Sequence, residues 1–110
     1  MEWINLRSES QLDELITKSA TRPQIIFKHS IRCSISALAK NRLDKEKVPE
    51  EMDFYYLDLI NNRSLSNKVA EVFKVSHESP QVLVIKNGES VYDESHMGIT
   101  MKGIAAQAAW

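Results

Sequence analysis

The sequence predicts an α/β fold, a mixed central sheet with helices on both faces, in the order β-α-β-α-β-α-β-β-α over residues 1–110 as a single domain. Three observations point there. Short runs rich in β-branched and aromatic residues, "QIIF" (24–27), "FYYLDL" (54–59) and "QVLVI" (81–85), alternate with stretches whose apolar residues recur three and four apart. The last of these runs is followed by "KNGE", whose Asn87-Gly88 suits a tight hairpin turn, with a returning arm over Ser90 to Asp93. Alternating strands and helices require right-handed parallel crossovers, while the closing hairpin adds antiparallel strands to the same sheet.

Taken in order, "WINL" (3–6) opens as a short strand. Ser8 and Gln11 have capping-box spacing, and Leu12, Leu15 and Ile16 mark one face of the helix they start. Arg22-Pro23 breaks that helix ahead of "QIIF". Ile35, Leu38, Ala39 and Leu43 form the apolar stripe of a second helix, with Pro49 in its exit loop. After "FYYLDL", a third stripe comprises Leu65, Val69, Val72 and Phe73. Beyond the hairpin, Thr100 can cap a last helix that turns Met101, Ile104, Ala105 and Ala108 inward. Trp3 and Trp110 stand at the two ends, placed to cover the edge of the core.

Composition narrows the class. With 43% hydrophobic residues among 110, the chain can bury a substantial core. A formal net charge of -1 and a pI near 6.3 argue against a nucleic-acid footprint, and no apolar run approaches the ~20 residues of a membrane span. "MEWINLRSESQ" does not read as a signal peptide. The single cysteine, Cys33, cannot form an internal disulfide, which points to a reducing, cytoplasmic setting. Three histidines and that cysteine lack a zinc-ligand spacing, so no metal is expected.

Cys33 lies in "KHSIRCSIS", after a strand and just ahead of the second helical stripe. A lone cysteine in a small protein is more often an inert buried residue. Position reverses that balance. Helix N-termini carry about half a positive charge and unpaired N–H groups, which favour a thiolate. Arg32 and Lys28 add positive charge nearby. Ser36 stands where a dithiol C-x-x-C motif has its second cysteine, able either to hydrogen-bond the thiolate or to cap the helix. His29, four residues ahead of the thiol, is equally open to a structural or a supporting role. Ser79-Pro80 directly precedes "QVLVI", the position at which a strand tolerates proline. Reflecting the hairpin about Asn87-Gly88 sets Pro80 opposite Ser95, with His96 just beyond, so that all three would ring Cys33.

At these residues the chain resembles a known family. "IIFKHSIRCSIS", "ESPQVLVIKNGE" and "SHMGIT" are similar to the monothiol bacilliredoxin-type proteins of the bacillithiol system, within the thioredoxin-like superfamily. The predicted element order is that of the thioredoxin fold. The resemblance implies a cis Ser79-Pro80 bond, a nucleophilic Cys33 and bacillithiol as thiol co-substrate. The implied reaction is removal of bacillithiol from S-bacillithiolated client proteins, with a second low-molecular-weight thiol or a reductase completing the cycle. Two departures matter. Phe27 stands where thioredoxins carry a buried acid, and "YDESHMG" replaces the Gly-Gly and acidic pair with which glutaredoxins grip glutathione. The competing expectation is a non-catalytic adaptor of the same fold that binds an iron–sulfur cluster or a partner protein.

Overall fold

The computed structural model describes residues 2–30, 32–47 and 49–109, so Trp110 lies outside the described residues. The elements follow the expected order: β1 (Ile4–Asn5), α1 (Glu9–Lys18), β2 (Gln24–His29), α2 (Ser34–Asp44), β3 (Asp53–Asp58), α3 (Arg63–Phe73), β4 (Gln81–Lys86), β5 (Glu89–Ser95) and α4 (Met101–Ala108). A 3-10 turn over His96–Gly98, which the sequence did not announce, separates β5 from α4. The strands form one mixed sheet in the order β1-β3-β2-β4-β5. β1, β3 and β2 run parallel, whereas β4 and β5 are antiparallel to their neighbours.

Strand alternation divides the core between the two faces of the sheet. Ile26, Leu57 and Leu83 meet Leu12 and Leu15 of α1 and Leu65, Val69 and Phe73 of α3. Ile25, Phe27, Val82 and Val84 meet Ala39 and Leu43 of α2 and Ile104 and Ala108 of α4. Trp3 closes the second layer by stacking on Phe27 at 5.5 Å, while its indole N–H donates to Asp44 Oδ1 at 2.7 Å.

Local signals set the helix starts. Ser8 Oγ accepts from the Gln11 N–H at 3.2 Å, and Gln11 Oε1 accepts in return from the Arg7 N–H at 2.7 Å, one residue outside the usual capping box. Thr100 Oγ1 caps α4 through the Gly103 N–H at 3.0 Å. Two expected stripes require correction. α2 buries Ser36, Ala39 and Leu43, leaving Ile35 and Leu38 exposed at 41% and 55%. α3 buries Ser66 in place of Val72.

The hairpin brings a further correction. Asn87 and Gly88 have φ of 53° and 77°, the left-handed pair that a two-residue turn of this hand requires. Their N–H groups are anchored on the end of α1, Asn87 to Ser19 O and Gly88 to Ser19 Oγ, both at 2.8 Å. Pairing follows the expected reflection through Ile85↔Ser90, and then Val84 pairs with Tyr92. Val91 is thus an extra, bulged residue, and beyond it the register is shifted by one. Ser95 therefore faces Gln81 rather than Pro80, and it is the His96 N–H that donates to Pro80 O, at 3.1 Å.

Candidate active site

The site is built where β2 and β3 end and β4 begins. His29 pairs with Asp58, Lys28 with Gln81, and Gln81 with Ser95. The segments leaving these positions thus share one end of the sheet, and the 3-10 turn at His96–Gly98 packs against α2.

Cys33 is the N-cap residue of α2, extended at φ -108° and ψ 118° and partly exposed. Its backbone fixes the helix start, with its N–H donating to Ser30 O and its carbonyl accepting from Ala37 N, each at 3.1 Å. Its side chain makes no capping hydrogen bond, and no acidic residue stands in the first turn of α2 to offset the positive end of the helix dipole. Arg32 precedes it in an exposed turn. Around the thiol, α2 turns Ile35 and Leu38 outward, and the adjoining 3-10 turn exposes Met97 at 63%.

Ser36 takes neither of the roles expected for it. Fully buried, its Oγ lies 2.7 Å from His29 Nδ1 and accepts from the Ser30 N–H at 3.1 Å. The hydroxyl therefore closes the 30–36 loop onto the end of β2. His29 is 4% exposed, stacked on Phe27 at 5.8 Å and tilted against Tyr56 at 5.4 Å. Burial above all, and then the Lys40 charge, hold its pKa below the usual histidine value; Asp58, the Ser36 bond and Asp44 oppose this. The ring is accordingly neutral at pH 7, and a consistent arrangement has Ser36 donating its hydroxyl proton to Nδ1. Ser36→Ala leaves both the ring nitrogen and the Ser30 N–H without a partner, and should lower the unfolding free energy by about 2 kcal/mol in urea titrations. An unchanged midpoint would contradict that assignment.

Ahead of β4, the Ser79-Pro80 peptide is cis and Pro80 is buried. Ser79 Oγ is buried without a hydrogen-bond partner. Ser95 ends β5, its N–H donating to Glu94 Oε1 at 3.0 Å. His96 has φ of 53° and directs Nε2 toward Glu78 Oε2 at 3.7 Å, so its ring reaches back over the loop that leads to Pro80. Lys28 departs most from expectation. Alternation along β2 places it on the face opposite Phe27 and His29, fully buried, with Nζ 3.4 Å from His77 Nδ1. The period-2 pattern of "QIIFKH" was the signal that could have placed Lys28 on the α3 face.

A cleft of about 620 Å³ is lined by Arg7, Ser8, Asn62, Arg63 and Lys68 and does not include Cys33.

A mixed sheet of this order, with one thiol at the start of α2 and a cis-proline at the start of β4, defines a thioredoxin-fold protein. Residues 4–104 match the family described as monothiol bacilliredoxin BrxC, and the chain belongs to that family. A solved thioredoxin-fold protein of provisional oxidoreductase assignment is 34% identical, with a TM-score of 0.83 over 96% of this chain and 93% of that one. Thioredoxins from Trypanosoma brucei brucei and Fasciola hepatica share the fold at 14% and 19% identity. Their TM-scores are 0.74 and 0.72, over 97% and 94% of this chain and 87% and 97% of theirs. Fold and family together support a redox role in a bacillithiol-related thiol system. No helix among the described residues is long and apolar enough to cross a membrane.

Proposed function

We propose that this protein is a cytosolic monothiol oxidoreductase that removes bacillithiol from mixed disulfides on client proteins. The observation that carries the reading is Cys33 itself: the chain's one thiol, partly exposed, at the positive end of α2 with no side-chain capping bond. Cys33 thiolate attacks the bacillithiol sulfur of the client's mixed disulfide. That S–S bond breaks, the client leaves as a thiolate, and bacillithiol remains disulfide-linked to Cys33. Because Ser36 offers no second thiol, the adduct is released from outside. A second bacillithiol attacks it to give bacillithiol disulfide and free Cys33, or a reductase supplies the electrons instead. Arg32 adds positive charge beside the thiolate, and Ser36 with His29 fixes the loop that presents it. Ser79, Pro80, Ser95 and His96 form the opposite wall, where the backbone at the cis-proline would pair with the client's extended peptide. Ile35, Leu38 and Met97 offer apolar contact to the client around the disulfide.

Mixing the reduced protein with a bacillithiolated client and measuring intact masses tests this. The client should lose one bacillithiol while the protein gains one, and added bacillithiol should reverse the gain. A client mass that stays constant, with Cys33 still open to alkylation, would overturn the reading.

A further inference from the structure

On the sheet face covered by α1 and α3, Gln24 at the far end of β2 is bonded to the Pro23 carbonyl and Asp53, and the next pair toward the site is apolar. Ile26 and Leu83 are cross-strand partners and fully buried, yet two residues on the pair is Lys28 and Gln81, at 0% and 1% exposure. Both polar side chains reach the same segment, residues 74–80. Lys28 Nζ donates to His77 Nδ1 at 3.4 Å, and Gln81 Nε2 donates to Ser76 O at 3.0 Å. This is the segment that leads to Ser79-Pro80, at the end of the sheet from which the Cys33 loop also leaves.

An apolar pair would continue the core here without desolvating an ammonium, and no carboxylate is paired with Lys28 among the described residues. Within the segment, Ser79 Oγ is buried with no hydrogen-bond partner among the described residues. An ammonium can only donate, so His77 must accept on an unprotonated Nδ1. Burial first, then Lys28 and Arg63, keep the imidazole neutral against the opposing pull of Glu78.

We propose that Lys28 and Gln81 are positioning residues, a clamp that holds the 74–80 segment so that the Ser79-Pro80 backbone meets the client peptide in register. The idea rests on the exchange function proposed above. Neither residue touches the reacting sulfurs.

Lys28→Met, His77→Ala and the double variant test it, His77 being exposed and its removal harmless to the core. Three quantities are measured: exchange with a bacillithiolated client, alkylation of Cys33 by iodoacetamide, and backbone order parameters of Ser76 to Ser79 from nitrogen-15 relaxation. Each single variant should lower client kcat/KM about tenfold or more, as misplacement of a docking edge does, and the double variant should lose no more than the worse single one. Alkylation should be unchanged, and the order parameters of Ser76 to Ser79 should fall while those of β2 stay high. Full client exchange in both single variants, additive losses, or an alkylation loss matching the exchange loss would overturn the clamp. If the wild-type protein transfers no bacillithiol, the exchange function fails, and relaxation still decides the clamp: unchanged order parameters at residues 76–79 would refute it.

Discussion

Cys33→Ala should reduce debacillithiolation to the uncatalysed background while leaving the fold intact. The two halves of this expectation have separate physical origins. Chemically, the chain has no other thiol, so no residue can take over as nucleophile or accept the bacillithiol. Structurally, the Cys33 side chain contributes no capping bond to α2 and is not part of either core layer, so its loss should change stability by no more than about 0.5 kcal/mol. Cys33→Ser sharpens the comparison. Serine is among the preferred N-cap residues, and the extended backbone at this position suits a cap, so this variant should be equally inactive yet more stable by up to about 1 kcal/mol. Client release followed by mass spectrometry, alongside urea unfolding, checks both variants. Turnover retained by either one would remove the monothiol mechanism.

Much of this arrangement was legible in the sequence because it rests on local signals. The Asn87-Gly88 turn, the caps at Ser8 and Thr100, and the strand-to-helix junction at Cys33 are each set by a few adjacent residues. What escaped depends on which of two plausible faces is covered. In α2, Ile35, Leu38, Ala39 and Leu43 fit helical periodicity, and so do Ser36, Ala39 and Leu43. The choice between them follows from the buried Ser36 bond to His29, a contact across the loop that no hydropathy pattern encodes. The bulge at Val91 was similarly silent, because valine is an ordinary strand residue with neither glycine nor proline to flag the extra position. That single residue moved the partner of Pro80 from Ser95 to His96. The charge on Lys28 was assigned to the thiol's surroundings from its nearness in sequence, whereas strand alternation carries it to the other face.

Lys28 also supplies the expected gain in stability. Lys28→Met should unfold at higher urea than the wild type at pH 7, with the advantage narrowing as pH rises. Burial lowers the Lys28 pKa from 10.5 to about 8. Between those values the unfolded chain keeps the proton that the folded chain has released, so the unfolded state binds more protons and wild-type stability increases with pH across this window. Below about pH 8 the folded protein carries the whole desolvation penalty, about 3 kcal/mol at most for a shift of this size. Methionine is similarly long, unbranched and apolar, so it can fill the same buried position beside its cross-strand neighbour Leu57 without a charge to desolvate. Against this stands one long hydrogen bond to His77, at 3.4 Å, which recovers little of the penalty. Urea titrations at pH 7 and pH 10 should therefore show a clear gain for Lys28→Met at the lower pH and a smaller one at the higher. A variant less stable at pH 7, or a difference that does not change with pH, would mean that the ammonium is not the destabilising group. A gain in stability joined to a loss of client exchange is the pattern of a residue that fits function at the expense of the fold, as active-site positions commonly do. For Lys28 that pattern would tie the buried charge to the placement of Ser79-Pro80, since nothing in the packing of the α3 face calls for an ammonium there.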